Sequence, residues 1–483
     1  MSGSTDIPGG DAAPGFPGGS GVAGGDSAAV STLQDEVVGL LQTLIRLDTT
    51  NPPGRETTAQ EPLAALLREA GFEVELAGPD PERLNLVARL RGREPGPVLG
   101  LLSHVDTVAA DPRDWTHGPW SGDVADGCVW GRGALDMKNQ TAAEVVAACS
   151  LAREGWRPER GDLLVISVAD EEVAGTGAEW LCSERPDLVR CDWLINEGDG
   201  AVTQVGDRRV HGVCVAEKGV FRFRLTARGV AGHASMPAIA DNALLRLAPL
   251  LTRFAGHRPA WDLTPSAQAT LAGLGLDPAD PDGALEALAA RAPEFVPLVE
   301  PSLHVTFAPT MTAASTGMNT IPAEAHAWVD CRVPPGLGRE AALRRLRDLL
   351  GPEAGGGPAQ APADAAASDA DAPAGAWEVE WVEETQGNES ITDSPLMDAL
   401  RRFVATIDPE ALLLPTVSPG YSDSRTFREA FPDCVAYGFF PQRAMTAAEA
   451  APLFHAADER IPIADLVLAV DCYRAVVRDL LGG

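Results

Sequence analysis

The stretch Leu163-Leu164-Val165-Ile166-Ser167-Val168-Ala169-Asp170-Glu171-Glu172-Val173-Ala174-Gly175 decides the architecture. Leu163 to Val168 is an apolar run of strand length, so it reads as a buried strand. Three acidic residues follow at once. Adjacent carboxylates at the end of a core strand repel each other and lose water, which is costly unless a cation sits among them. Residues able to complete such a site recur along the chain. His104-Val105-Asp106 ends a second apolar run, and Asp136 follows Gly131-Arg132-Gly133. Glu197 ends a third run, Trp193 to Asn196, and His455 lies in Phe454-His455-Ala456-Ala457-Asp458-Glu459-Arg460. Two His and several carboxylates at strand ends suit zinc, which accepts imidazole and carboxylate together.

Outward from this stretch, strands and helices alternate. Leu84 to Leu90, Val98 to His104, Leu163 to Ala169 and Trp193 to Glu197 read as strands, and Gln140 to Glu154 as a helix between them. Upstream, Ser31 and Gln34 form a capping-box pattern. Val37, Leu40, Leu41, Leu44 and Ile45 then recur at helical spacing, and a second amphipathic helix runs from about Thr57 to Ala70. Such alternation favours an α/β sheet covered by helices, with ligands at the strand ends. The pattern changes at Gly219. Phe221 to Thr226 alternates like a half-exposed strand. A helix near Asn242 to Phe254 follows, then strands at Leu303 to Phe307 and Ala325 to Cys331. A helix from Arg339 to Leu350 and an alternating run from Trp377 to Val382 complete a small inserted βαββαβ unit. Two stretches interrupt it. Residues 257–301 are Pro/Ala/Asp-rich with short helical pieces, and residues 353–376 read as a mobile loop. The division expected is a disordered tail at 1–30, a first catalytic part at 31–218, an inserted domain at 219–384 and a second catalytic part at 385–483.

The chain has 483 residues, 45% of them hydrophobic, which is enough for two or more packed domains. Its net charge of −31 argues against binding nucleic acid or an anionic membrane. Only two lysines occur, Lys138 and Lys218, against 36 arginines. The eight cysteines are dispersed, with no CxxC pair, so no disulfide framework is expected. The first residues lack the Arg or Lys of a signal peptide, and no apolar run has transmembrane length. A cytoplasmic protein follows as the expectation.

The motifs fall in a specific order. His-x-Asp is followed by Gly-Arg-Gly-x-x-Asp-x-Lys, Asp-Glu-Glu, Asn-Glu-Gly and Gly-His-Ala-Ser. Asn-x-Ile-Pro with Asp-x-Arg comes next, and then a late His-x-x-x-Glu. This order resembles the dinuclear zinc family of aminoacylase, carboxypeptidase G, acetylornithine deacetylase, succinyl-diaminopimelate desuccinylase and related dipeptidases, over roughly residues 31–480. The resemblance implies a zinc-peptidase-like catalytic domain, α/β with a mixed sheet flanked by helices. It also implies an inserted ferredoxin-like lid that makes a homodimer. It assigns two Zn ions, with Co or Mn as substitutes. His104 and Glu197 would hold one, Glu172 and His455 the other, and Asp136 would bridge them. Asp106 would orient His104, and Glu171 would be the general base. His233 would stabilise the oxyanion in the partner subunit's site, and Asn319 and Arg332 would bind substrate.

The implied activity is hydrolysis of the amide of a small N-acyl amino acid or short peptide. Alternatives on the same scaffold are hydrolysis of non-peptide C–N bonds, as in ureido acids, and non-catalytic binding of an amino-acid derivative. Arg332 has a structural alternative, a salt bridge with Asp330. His117, His211, His257, His304 and His326 lie outside every motif and read as structural. Tyr421-Ser422-Asp423-Ser424-Arg425 resembles a family pattern bordering the site.

Overall fold

A computed structural model describes residues 27–257, 259–352 and 377–482. Most of the tail expected at 1–30 and all of the loop expected at 353–376 lie outside them. Among the described residues a large mixed sheet has ten strands. From one edge the order is Glu73–Ala77, Asn85–Arg91, Arg160–Val168, Glu94–His104, Trp193–Asn196, Val435–Gly438, Arg208–Glu217, Ala201–Val205 and Gln442–Thr446. Leu412–Ser418 adds to it in parallel with Arg208–Glu217.

Three neighbouring strands position the acidic and His residues. Glu94–His104 runs parallel to Arg160–Val168 on one side and to Trp193–Asn196 on the other, with His104 opposite Val168. Side chains alternate between the faces of a strand. Leu99, Leu101, Leu163, Val165 and Ile195 therefore enter the core built with helices Ser27–Arg46, Lys138–Arg153 and Ile463–Leu481. Leu102, Leu164, Ile166, Val168 and Leu194 enter a second core with helices Thr176–Glu184 and Asp423–Ala430. Burial on both faces explains why these runs are continuous in the sequence rather than alternating.

A separate antiparallel sheet follows Lys218. Its order is Thr306–Ala313, Glu324–Val333, Gly219–Arg228 and Glu378–Thr385. Phe223, Leu225, Val329 and Trp377 pack with helices Ala243–Phe254 and Arg339–Leu350. The opposite face carries cross-strand ion pairs, Arg222 with Asp330 and Glu383, and Arg224 with Glu380. The alternation read at Phe221 to Thr226 has this cause: one face is packed and the other is charged.

Local details differ from the sequence reading. The first helix starts at Ser27, not Ser31. The strand expected at Leu303 to Phe307 begins at Thr306 and continues to Ala313, because Glu300–Leu303 forms a 3-10 turn with Pro301 near its start. The larger correction concerns residues 257–301, placed by the sequence inside the inserted domain. Helices Pro265–Gly273 and Pro281–Arg291 and the short turns after them bury Leu271, Leu288, Phe295 and Val299 against Val205, Val210 and Leu414 of the large sheet. Their apolar residues pack on the large sheet. The eight cysteines are all free thiols, seven of them buried, and no helix among the described residues is long and apolar enough to cross a membrane.

Candidate metal centre

The ends of the three parallel strands converge. His104 is the last residue of its strand, Asp170, Glu171 and Glu172 follow the second strand's end, and Glu197 directly follows the third. Asp136 arrives from the turn between Cys128–Trp130 and Lys138–Arg153, and His455 from the segment before Arg460–Pro462. Nε2 of His104 lies 3.2 Å from Oδ1 of Asp136, 3.7 Å from Glu197 and 3.9 Å from Glu171. Nε2 of His455 lies 3.1 Å from Oδ2 of Asp136 and 3.1 Å from Glu172. Ligand atoms of His104, Asp136 and Glu172 all fall within 4.8 Å of one another, and so do those of His104, Glu171 and Glu197.

The cluster is braced from behind. The Asp106 carboxylate accepts the backbone N–H of Glu171 on one oxygen and that of Glu172 on the other, each at 3.2 Å. It also accepts from the Asn51 amide at 2.9 Å and stands 3.5 Å from Nδ1 of His104. The Asp106 backbone carbonyl is nearer to that nitrogen, at 3.1 Å. Asp170 takes the left-handed conformation, with φ 67°, which turns the chain sharply between the strand and the glutamates. Its own carboxylate accepts from Asn51 and Arg83.

Burial shapes the electrostatics. Burial, then the charge of Glu197, pushes the Glu171 carboxyl well above the usual range, although His104 opposes this. Burial, then Asp136, pushes Glu197 up to about 7. Burial would also raise Asp136, but its hydrogen bonds with His104 and His455 hold it below the usual range. The hydrogen bonds with Asp136 and Glu172 lift His455 to about 10. One carboxylate oxygen, Oε1 of Glu172, is buried with no hydrogen-bond partner among the described residues. Crowded carboxylates pushed toward protonation, imidazoles among them and an orphaned anionic oxygen are what a cation would relieve. The donor set of His nitrogen and carboxylate oxygen fits zinc.

The structure brings together His104, Asp106, Asp136, Glu171, Glu172, Glu197 and His455. It places the other three residues read from the sequence elsewhere. His233 is exposed on the short strand Gly232–His233, its Nδ1 2.7 Å from the Ser235 hydroxyl. The Asn319 carbonyl accepts from the Ala234 N–H. Among the described residues no hydrogen bond or ion pair joins either of them to the cluster. Arg332 pairs with Asp330 at 2.7 Å and donates to the Pro419 carbonyl at 3.0 Å.

Glu459 is a residue the sequence reading quoted without a role. It is fully buried. Oε1 accepts the N–H of Leu135 at 2.6 Å and of Asp136 at 3.0 Å, and Oε2 pairs with Arg132 at 2.6 Å. It thus fixes the backbone that carries Asp136. Its only sequence signal is the spacing from His455. Asp423 is also buried, and its charge acts on Glu171. The neighbouring Ser422 and Ser424 hydroxyls accept from Asn196, tying that loop to the strand end beside Glu197.

Comparison with known proteins supplies the relationship. The profile of peptidase family M20/M25/M40 matches residues 100–479. A succinyl-diaminopimelate desuccinylase of Cereibacter sphaeroides is 33% identical over 226 residues, covering 46% of this chain and 56% of that protein. The chain thus spans about half the length of the curated relatives it matches. Among solved structures, the M20 family metallo-carboxypeptidase Sso-CP2 of Sulfolobus solfataricus superposes with a TM-score of 0.66 at 16% identity, over 92% of this chain and 99% of that one. The Bacillus subtilis YXEP protein, a dinuclear metal-binding peptidase of the M20 family, gives 0.59 at 14% identity, over 93% and 99%. At such identities the structural likeness is one of fold, and the match of the profile over most of the sequence carries the assignment: this chain belongs to peptidase family M20/M25/M40.

Proposed function

We propose that this protein is a dinuclear metal-dependent hydrolase that cleaves the amide bond of a small N-acyl amino acid or short peptide. One observation carries the reading: Asp136 turns Oδ1 toward His104 and Oδ2 toward His455, at 3.2 and 3.1 Å. A single carboxylate is shared between two donor sets. In this reading His104 and Glu197 hold one ion, Glu172 and His455 the other, and Asp136 both. Zinc is the assigned metal, with Co or Mn as substitutes. Bound there, two divalent cations supply Lewis acidity and lower the pKa of water.

The chain's own groups do the rest. Glu171 accepts a proton from the attacking water on its carboxylate and returns it to the leaving nitrogen. Asp106 keeps Glu171 and Glu172 on separate courses by holding both backbone N–H groups. His233 serves as a hydrogen-bond donor to the oxyanion in a second copy of the chain. Its exposure supports this, as does the exposed apolar surface of the same unit, Leu245 on the helix and Met311 on the edge strand. Asn319 and Arg332 are assigned to the substrate, Arg332 to a free carboxylate that exchanges with Asp330. The catalytic unit comprises 31–218, 385–483 and the helices of 265–303, and the rest of 219–384 forms the inserted unit.

Metal analysis of the loaded protein, combined with assays on N-acyl amino acids and dipeptides, tests the reading. Two ions per chain and hydrolysis of at least one class are expected. One ion or fewer per folded chain, or no hydrolysis with two bound, overturns it.

A further inference from the structure

A cavity of about 510 Å³ lies between the helical stretch at 265–303 and the large sheet. That volume falls in the range of pockets that hold a small organic molecule. It is continuous with the candidate centre, because Glu197 and Met137, the residue after Asp136, line it. Its far wall is apolar. Phe295, Leu298 and Val299 come from the helical stretch, Leu414 and Phe440 from the catalytic core, and Phe454 precedes His455. Among the described residues no Arg or Lys lines it. The acidic groups in the wall are Glu197, of the candidate centre, and Asp199. Both oxygens of Asp199 are spent within the protein, one on the Gly200 N–H at 2.8 Å and one on the Thr416 hydroxyl at 2.7 Å.

We propose that this cavity is a substrate pocket for a neutral apolar group, so that the favoured amides carry an alkyl or aryl substituent rather than an additional carboxylate. The proposal rests on the reading of the centre as an amide hydrolase and names the substrate class. A carboxylate in this pocket would leave water and find no Arg or Lys to pair with among the described lining residues, which is unfavourable. An alkyl or aryl group would instead meet aliphatic and aromatic walls. Succinyl-diaminopimelate, the substrate in the matched relative's name, carries carboxylates on both sides of its amide. The pocket lacks a cation for one of them. Leu298 marks the mouth: it lines the cavity and is 64% exposed. The wall itself comes from the stretch that the sequence placed in the inserted domain, so the pocket exists only because that stretch docks on the sheet.

The test uses the zinc-loaded protein. One panel varies the acyl group of an N-acyl amino acid (acetyl, butanoyl, hexanoyl, phenylacetyl, succinyl). A second keeps acetyl and varies the side chain (alanine, leucine, phenylalanine, glutamate). The two arms distinguish which side of the amide supplies the apolar group. In that arm kcat/KM should rise about fourfold per added methylene, the factor that corresponds to burying one CH₂. Succinyl or glutamate should fall at least tenfold below its uncharged counterpart. Leu298→Arg, at an exposed position that should tolerate it, should cut the advantage of the apolar substrate at least tenfold and favour the acidic one. Calorimetric titration of wild type and Leu298→Arg with N-hexanoylglycine, repeated for both in a Glu171→Gln background that keeps metal and loses rate, gives a readout independent of turnover. Hydrolysis that is equally fast for acetyl, hexanoyl and succinyl compounds in the first panel, and for alanine, leucine and glutamate compounds in the second, overturns the pocket and leaves the hydrolase reading intact. Binding of N-hexanoylglycine by wild type, weakened in Leu298→Arg, without hydrolysis of any amide, overturns the hydrolase reading and supports the pocket. Neither binding nor hydrolysis overturns both.

Discussion

Glu459→Gln should unfold more readily and hold metal less tightly, for one structural reason. The Glu459 carboxylate is fully buried, pairs with Arg132 at 2.6 Å and accepts the N–H groups of Leu135 and Asp136. Glutamine keeps one carbonyl oxygen and loses the charge. Arg132, 3% exposed, would keep its contact with the Trp115 ring and lose its anion. Breaking a buried pair by removing one partner costs about 3–5 kcal/mol. The two backbone N–H bonds would also change from charge-assisted to neutral, a loss of roughly 1 kcal/mol each. The retained Trp115 contact and the surviving amide oxygen favour the lower end of the combined cost, about 5 kcal/mol. Denaturant unfolding followed by tryptophan fluorescence, at fixed zinc, measures this. Chelator competition on the folded protein measures the second effect. Because the anchor of the Asp136 backbone is weakened, metal affinity should fall about 10–100-fold, as for other groups that support ligands. Adding Arg132→Met removes the stranded cation. The double variant should regain stability and keep the weakened metal binding. An unchanged metal affinity in folded Glu459→Gln, or a stability loss below about 1 kcal/mol, would refute the view that Glu459 positions Asp136.

Other outcomes are expected. Glu171→Gln should keep its metal while kcat falls about 10²–10⁴-fold, the worth of a general base, whereas Glu172→Gln should lose metal; equal metal content and equal residual rates would show that the adjacent glutamates are wrongly assigned. Mixing His233→Ala chains with Glu171→Ala chains, each inactive alone, should restore activity if subunits exchange, because one hybrid site would then be intact; no recovery in a mixture shown to exchange rules out action across the dimer. Lys218 donates to the carbonyls of Pro301 and His304, and burial pushes its ammonium down to about 7. The unfolded chain holds that proton up to about pH 10, so between about pH 7 and 10 the unfolded state binds more protons and stability rises with pH. Lys218→Met should be less stable, with two carbonyls unpaired, and should lack this rise. Unfolding midpoints at pH 7 and 9 for both proteins check it, and an equal gain in both contradicts the argument.

Much of the frame is local and therefore legible in the sequence. Leu163 to Val168 and Val98 to His104 are strand-length apolar runs, and their burial on both faces is what an unbroken run implies. Phe221 to Thr226 alternates because one face packs and the other carries ion pairs. The acidic and His residues after the apolar runs were visible because strand ends in an open α/β sheet are where ligands sit. Among those residues, five (His104, Glu171, Glu172, Glu197 and His455) come together around Asp136, and Asp106 stands behind them.

What the tertiary structure alone decided are the relations between distant segments. Glu459 lies 323 residues from Asp136, and its hydrogen bond to that backbone follows from how the chain returns beside the turn, not from local spacing. The same holds for the Asp106 carboxylate, whose two oxygens meet two successive N–H groups 65 and 66 residues away. The short helices at 265–303 carry apolar residues suited to either sheet, since amphipathicity says that a face is buried but not against what. Docking on Val205, Val210 and Leu414 placed them on the catalytic flank and closed the cavity beside Glu197. Residue types and their order determined which groups are available for chemistry. Register and long-range packing, which no local pattern encodes, determined which groups meet and what surrounds them.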